Sequence, residues 1–391
     1  MSKSNITIDE VKNAVKEVAG IADIHPQEVT LKQLTAFDER MTEWTLRKFG
    51  GISKVKKNFP LTQKDLVEIK KSEDVGKYVR KLEKELANQQ AFEKDVLGAI
   101  ENLSKNLPKF KTKKVKRKST KGKKMTMELL LSDIHYGKLT EEFNLKKCRQ
   151  RMQDLTAVFI SEIEQKQKTF NVEKAIIALA GDIIESSSMH GMESLMGSEF
   201  GNSKQVQEAI ESLFYDVILP IAETGVDVVI PCVPGNHDRY DTSRTMQKPG
   251  LNNLSWIIYK MLESLAKAHK LDNVKFDITE DSYVVHNVYG SNILYEHGDE
   301  LKNTQKATIL GHMEKRGRQI GKQIHMSRFG HWHEYVCFNR GQAIINESVC
   351  GQDSYARIKG FSSTAGQTIT FYVETKNRPT SYYYSFPVYL G

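Results

Sequence analysis

The sequence predicts an α/β protein with a buried sheet, preceded by a small all-α amino-terminal domain and a long helix. Three observations predict it. From residue 127 onward short apolar runs alternate with amphipathic stretches of helical period. Before residue 74 the apolar spacing is helical only. Between the two halves, residues 105–124 hold eleven Lys or Arg and no acid, a run that repels itself and reads as a solvated connector. The resulting division is 1–73, a small helical module; 74–107, a long helix; 108–124, a basic linker; and 125–391, the α/β domain.

In the first part, Ile8, Val11, Val15 and Val18 share one helical face, with Gly20 as the expected stop. A second short helix is expected around 38–48, followed by Gly50, Gly51 and the basic cluster Arg47, Lys48, Lys54, Lys56 and Lys57. Residues 74–107 keep 3–4 spacing at Val79, Leu82, Leu86, Val96, Ile100, Leu103 and Leu107, interrupted by Gln89 and Glu93. That pattern suits either a homodimeric coiled coil or a helix packed on its neighbour. In the second part, strands are expected at 127–132, 174–180, 227–233, 292–296 and 324–329, with helices near 145–168, 203–224 and 250–271. The tail strands 342–347, 367–374 and 381–389 are expected to close a second sheet.

Composition narrows the function classes. With 39% hydrophobic and 27% charged residues in 391, the chain is neither disordered, collagen-like nor a disulfide framework. No stretch approaches the ~18 apolar residues of a membrane span, so no membrane partner is expected. MSKSNITIDE lacks a signal-peptide layout, and the four cysteines form no CxxC pair. Both point to a reducing cytoplasm, that of the host if the gene belongs to a phage. The formal charge of +8 resides in the basic tract; the rest of the chain has 46 basic against 49 acidic residues. Eleven cations in twenty residues are either a solubilising linker or a counterion-release site for nucleic acid, and the latter is favoured here.

The chemistry lies at the strand ends, where α/β proteins bind ligands. The five strands end in Asp133-Ile134-His135, Gly181-Asp182, Gly235-Asn236-His237-Asp238, His297-Gly298-Asp299 and Gly330-His331-Trp332-His333. D-x-H and H-x-H would place both side chains on one side of an extended backbone. Mixed imidazole and carboxylate donors suit Mn, Fe, Zn or Co, whereas all-oxygen sites suit Mg or Ca.

In order, DIH, GDII, GNHD, EHGD and GHWH make the chain resemble the calcineurin-like metallophosphoesterases over residues 127 to about 375. The resemblance implies a two-sheet sandwich flanked by helices and a centre of two divalent ions. Mn is the expected ion, with Mg, Fe, Zn and Co as alternatives. By position, Asp133, His135 and His333 would hold one ion, Asn236, His297 and His331 the other, and Asp182 would bridge. Two such ions about 4 Å apart activate water for in-line attack on phosphorus. His237 would be the general acid, with Asp238 orienting its ring.

Substrate class is read from what surrounds the motif. GDIIESS lacks the Arg of the GDxxDRG pattern of protein phosphatases. Nucleic acid, DNA favoured, is the expected partner through Arg47, Lys48, Lys113, Lys114, Lys116, Arg117 and Lys118, and through Lys315, Arg316 and Arg318 near the site. The WTLRKFGG stretch is similar to short DNA-binding repeats of some homing endonucleases, and a small helical packing domain is an equal alternative. The whole is most similar to the SbcD-like DNA-repair nuclease branch and its phage relatives. There the accessory elements follow the phosphoesterase domain; here the extra domain comes first, which leaves a partner ATPase open. The expected function is therefore a dinuclear-metal phosphodiesterase acting as an exo- or endonuclease. A small-molecule or cyclic-nucleotide phosphoesterase and a non-catalytic nucleic-acid-binding protein are the alternatives.

Overall fold

The computed structural model describes residues 6–22, 29–38, 46–49, 51–56, 122–186, 196–240, 248–351, 364–375 and 382–391, with isolated positions 26, 40, 42, 76, 77, 80 and 194. The chain divides into two compact units, Met1–Gln90 and Ala91–Gly391. Almost all of the expected 74–107 helix and the whole 108–121 stretch of the basic linker lie outside the described residues.

In the first unit, α1 (Ile8–Ala22) buries Val11, Ala14, Val15, Val18 and Ala19, as the spacing requires. Thr7 and Glu10 cap it reciprocally: the Glu10 N–H donates to Thr7 Oγ1 at 3.3 Å, and the Thr7 N–H to Glu10 Oε2 at 2.7 Å. The helix runs through Gly20 to Ala22 instead of stopping there. A helix not expected from the sequence, α2 (Leu31–Phe37), starts with a Thr30/Gln33 capping box and ends at Asp38. Much of the expected 38–48 helix lies outside the described residues; within it Leu46 is helical, its N–H donating to the Thr42 carbonyl at 3.0 Å, and a 3₁₀ turn follows at Arg47–Phe49. α3 (Ile52–Lys56) adds Val55 to a core with Val29, Leu34 and Leu46.

The second unit has four layers. A six-stranded sheet runs in the order β11-β10-β1-β2-β3-β4. Its strands are β1 (Lys124–Leu131), β2 (Asn171–Ala180), β3 (Asp227–Val233), β4 (Val274–Ile278), β10 (Gly366–Val373) and β11 (Tyr382–Tyr389). β1 to β4 are parallel, and β10 and β11 are added antiparallel. The second sheet, β5-β6-β7-β9-β8, comprises β5 (Tyr283–Val288), β6 (Ser291–Glu296), β7 (Met326–Phe329), β8 (Val336–Phe338) and β9 (Ala343–Ile345). The two long tail strands thus extend the first sheet, and only Ala343–Ile345 joins the second. The reason is register: β10 pairs along β1 from Met125↔Val373 to Leu130↔Thr368, a match of distant segments that no local pattern announces.

Period-two alternation assigns each strand face. Met127, Leu129 and Leu131 face the helices α4 (Leu145–Lys166), α5 (Asn202–Ser212) and α7 (Leu254–Ala268), packing with Met152, Phe159 and Ile258. A π-helical turn, Leu213–Ile218, and the short α6 (Leu219–Ala222) continue α5. Leu130 faces the other way, between the sheets, with Ile293, Tyr295, Met326 and Ile344. Ile309 and Met313 of α8 (Lys306–Ile320) cover the outer face of the second sheet at Phe329, Ala343 and Ile345. Burial on both faces is why β1 reads as an unbroken apolar run. Among the described residues no helix is long and apolar enough to cross a membrane. Cys148, Cys232 and Cys350 are buried, whereas Cys337 is exposed.

One polar network joins the sheets. Glu128 of β1 accepts from Arg328 Nε of β7 at 2.5 Å, Tyr295 Oη at 2.6 Å and Tyr372 Oη at 2.9 Å, with both charges fully buried. Arg328 also donates to the carbonyls of Ser327 and Gly341. Removing one partner strands the other charge, so Arg328→Met is expected to cost about 3–5 kcal/mol in urea unfolding. A loss under about 1 kcal/mol would show the pair to be dispensable.

Candidate metal centre

The parallel strands β1, β2 and β3 deliver Asp133 and His135, Asp182, and Asn236 at one sheet edge; β6 and β7 deliver His297, and His331 and His333, from the other. The backbone there is not extended. Asp133 (φ 51°), His135 (55°), Asp182 (51°), His331 (70°) and His333 (52°) all occupy the left-handed region that non-glycine residues avoid. The same-side arrangement expected for D-x-H and H-x-H therefore comes from tight left-handed turns. Such strain persists only where the surroundings enforce it, and it clusters at functional sites. Two glycines enforce the approach of β2 and β3. A Cβ on Gly235 would lie 2.0 Å from the Asp182 nitrogen, and one on Gly181 (φ 84°) 2.6 Å from the Gly235 Cα.

All seven expected ligands meet. Asp133, His135 and His333 form one group and Asp182, His297 and His331 another, with donor atoms within 4.8 Å in each. His333 Nε2 is 3.2 Å from Asp133 Oδ1 and 3.1 Å from His135 Nε2. His297 Nε2 is 3.1 Å from Asp182 Oδ2 and 2.9 Å from Asn236 Oδ1. The backbone fixes the carboxylates: the His331 N–H donates to both Asp133 oxygens at 3.0 Å, and the His237 N–H to Asp182 Oδ1 at 2.8 Å.

The donor set fits divalent cations. His297 Nδ1 lies 2.9 Å from the Ala180 carbonyl, so it carries a proton and leaves Nε2 as a lone pair facing two more acceptors, Asp182 Oδ2 and Asn236 Oδ1. Three acceptors converging in a dry site need a positive charge among them. Protonation supplies one: despite burial, Asp182 pushes the His297 imidazole up to about 10. A metal ion supplies the same charge and uses all three lone pairs. Burial raises Asp182, but His297 and His237 outweigh it and hold its carboxyl well below the usual range. Burial drives His135 and His331 down to about 4, so both are neutral, the form that ligates.

His237 and Asp238 have separate roles. The His237 ring is fixed through Nδ1 to the Glu185 carbonyl at 2.8 Å. The Asp238 carboxylate accepts from the N–H groups of Ile184 at 3.0 Å and Gly235 at 3.2 Å, holding the β2 and β3 turns together. Both Asp238 oxygens thus serve the backbone of the turn, while a main-chain carbonyl holds the ring. Burial and the nearby Asp182 carboxylate outweigh these N–H donors, and Asp238 is pushed up to about 6.

The residue not anticipated is Glu185. Its carboxylate lies 2.8 Å from His135 Nδ1, 3.5 Å from Lys138 Nζ and 3.9 Å from His237 Nδ1. The approach to His135 is off the line of the ring N–H, a close contact without hydrogen-bond alignment. Against burial, Lys138 and His135 hold Glu185 down to about 2. Its sequence signal was an acid three residues after Asp182, which acquires meaning only once β1 and β3 flank it.

The expected nucleic-acid contacts are dispersed. Lys113, Lys114, Lys116, Arg117 and Lys118 lie outside the described residues. Arg47 and Lys48 form the 3₁₀ turn of the first unit. On α8, Lys315 is exposed, Arg318 pairs with Glu314 at the surface, and Arg316 is held by Glu296.

No family model matches this sequence, and no curated protein matches it. Solved structures with remote similarity include an archaeal phosphodiesterase (9% identity, covering 67% of this chain and 99% of that chain, TM-score 0.31). A conserved uncharacterized protein from Streptococcus pneumoniae, a predicted phosphoesterase, has 10% identity, covers 67% and 98%, and has a TM-score of 0.26. Vacuolar protein sorting 29 from Entamoeba histolytica, complexed with zinc, has 10% identity, covers 68% and 99%, and has a TM-score of 0.28. Likenesses this remote carry no functional assignment.

Proposed function

We propose that the chain is a calcineurin-like, dinuclear-metal phosphodiesterase and that nucleic acid, DNA foremost, is its substrate. The observation that carries the chemistry is the convergence of two His/Asp clusters, linked through a third group of His135, Asp182 and His237, with Asn236 beside His297. Asp133, His135 and His333 would hold one ion, and Asn236, His297 and His331 the other. Such ions supply Lewis-acid polarisation of the phosphoryl group and a water of lowered pKa. The protein's own part is proton placement. His237 Nδ1 is committed to the Glu185 carbonyl, and Asp182 and Glu185 outweigh burial to hold the imidazole above its ordinary value. The proton at Nε2 is then the one available to a leaving ester oxygen. The Glu185 carboxylate lies against Nδ1 of the ligand His135, so Glu185→Gln is expected to weaken Mn binding about 10–100-fold by calorimetry. Unchanged affinity would remove Glu185 from this role.

The nuclease reading rests on the basic tract. DNA cleavage is expected to fall steeply between 50 and 200 mM salt, about 10³-fold or more if the tract contacts six or more phosphates, while hydrolysis of bis-p-nitrophenyl phosphate barely changes. Equal salt sensitivity would refute it. The balance of residues 125–391, 28 basic against 32 acidic, favours one alternative, a small phosphodiester as substrate. In that case deletion of residues 1–124 leaves specific activity intact.

A further inference from the structure

A cavity of about 360 Å³ opens beside the centre, between the ends of β3 and β6 and the helix α8. It shares Gly235 and His297 with the metal-binding turns, so its contents would adjoin a phosphate held there. Its formal charges balance: Arg239, Lys315 and Arg316 against Glu296, Asp299 and Glu300. Most are already engaged. Arg239 pairs with Asp299; Glu296 takes Arg316 Nε at 2.7 Å on one oxygen and His312 Nε2 at 2.5 Å on the other.

A wall with no surplus cation does not select a second phosphate; the metal cluster selects the anion. What the cavity offers is fixed donors and acceptors beside the apolar faces of Pro234, Pro249 and Leu301. The Arg316 guanidinium is locked by Glu296, by Gln319 Oε1 at 2.7 Å and by the Tyr283 ring, 4.7 Å from its centroid. Such a wall is preorganised, and binding costs it little ordering entropy. The volume lies at the low end of the ~300–1,000 Å³ typical of small-molecule sites. That suits one uncharged, polar ring system and excludes a base pair.

We infer that this cavity is a nucleoside pocket, holding the base and sugar on one side of the scissile phosphate. The inference rests on the phosphodiesterase reading and adds to it that the enzyme takes one unpaired nucleotide at a time. The test compares wild type with Ser282→Trp and Gln319→Trp, which fill the cavity from a loop and from α8. Two p-nitrophenyl esters are used, thymidine 5′-p-nitrophenyl phosphate and bis-p-nitrophenyl phosphate, and thymidine binding is read separately by calorimetry. The ratio of kcat/KM for the nucleoside ester over the other is expected to fall about tenfold or more in a folded variant, with thymidine affinity falling in parallel. An unchanged ratio and unchanged thymidine affinity in both variants would overturn the pocket. Wild type inactive on both esters with Mn would refute the phosphodiesterase reading; thymidine binding lost in the variants would still support the pocket.

Discussion

Replacing Asp182 by Asn is expected to lower Mn-dependent hydrolysis of bis-p-nitrophenyl phosphate by more than about 10³-fold, several kcal/mol at ~1.4 kcal/mol per tenfold. Asp182 is where the two clusters meet: Oδ2 faces His297 Nε2 at 3.1 Å, and Oδ1 accepts the His237 N–H at 2.8 Å. The amide keeps the shape and one acceptor but loses the negative charge that would offset two bound cations. It also removes the charge that holds His297 protonated when no metal is bound. Metal content and kcat/KM measured on the same sample check this. Activity within tenfold of wild type would mean that Asp182 does not bridge.

His237→Gln is expected to reduce kcat on DNA by about 10²–10⁴-fold. The reduction should be much smaller for bis-p-nitrophenyl phosphate, because p-nitrophenolate departs without a proton whereas a sugar alkoxide does not. That contrast separates a proton donor from a structural residue, whose loss would slow both substrates alike. Asp238→Asn should behave in the structural way, since its oxygens hold the Ile184 and Gly235 amides and leave the ring to Glu185. A His237→Gln variant equally impaired on both substrates would contradict the assignment.

Much of this centre was legible in the sequence because ligand-type residues stood directly after apolar runs. Strands buried on both faces, such as Lys124–Leu131 and Asp227–Val233, announce themselves by hydropathy. The edge strand β4 (VKFDI) alternates strictly but for only five residues, the edge strand β5 alternates weakly, and β8 is three residues long. α2 was missed although Thr30 and Gln33 spelled its capping box, because seven residues show little period. The left-handed turns at Asp133, His135, Asp182, His331 and His333 are imposed by converging strands; these residue types would not adopt them unaided. Arg316 illustrates the remaining limit. On sequence it reads as a contact for nucleic acid near the site, and only the approach of β6 reveals Glu296 as its partner.

The central claim is that the seven donors hold two divalent ions per chain. Metal-depleted protein reloaded with Mn and passed through a desalting column should retain close to two equivalents by elemental analysis. Asp182→Asn should retain fewer than one, with bis-p-nitrophenyl phosphate hydrolysis following occupancy. Wild-type protein that retains no Mn, Fe, Co or Zn, or hydrolyses the diester equally well after chelation, would contradict the account.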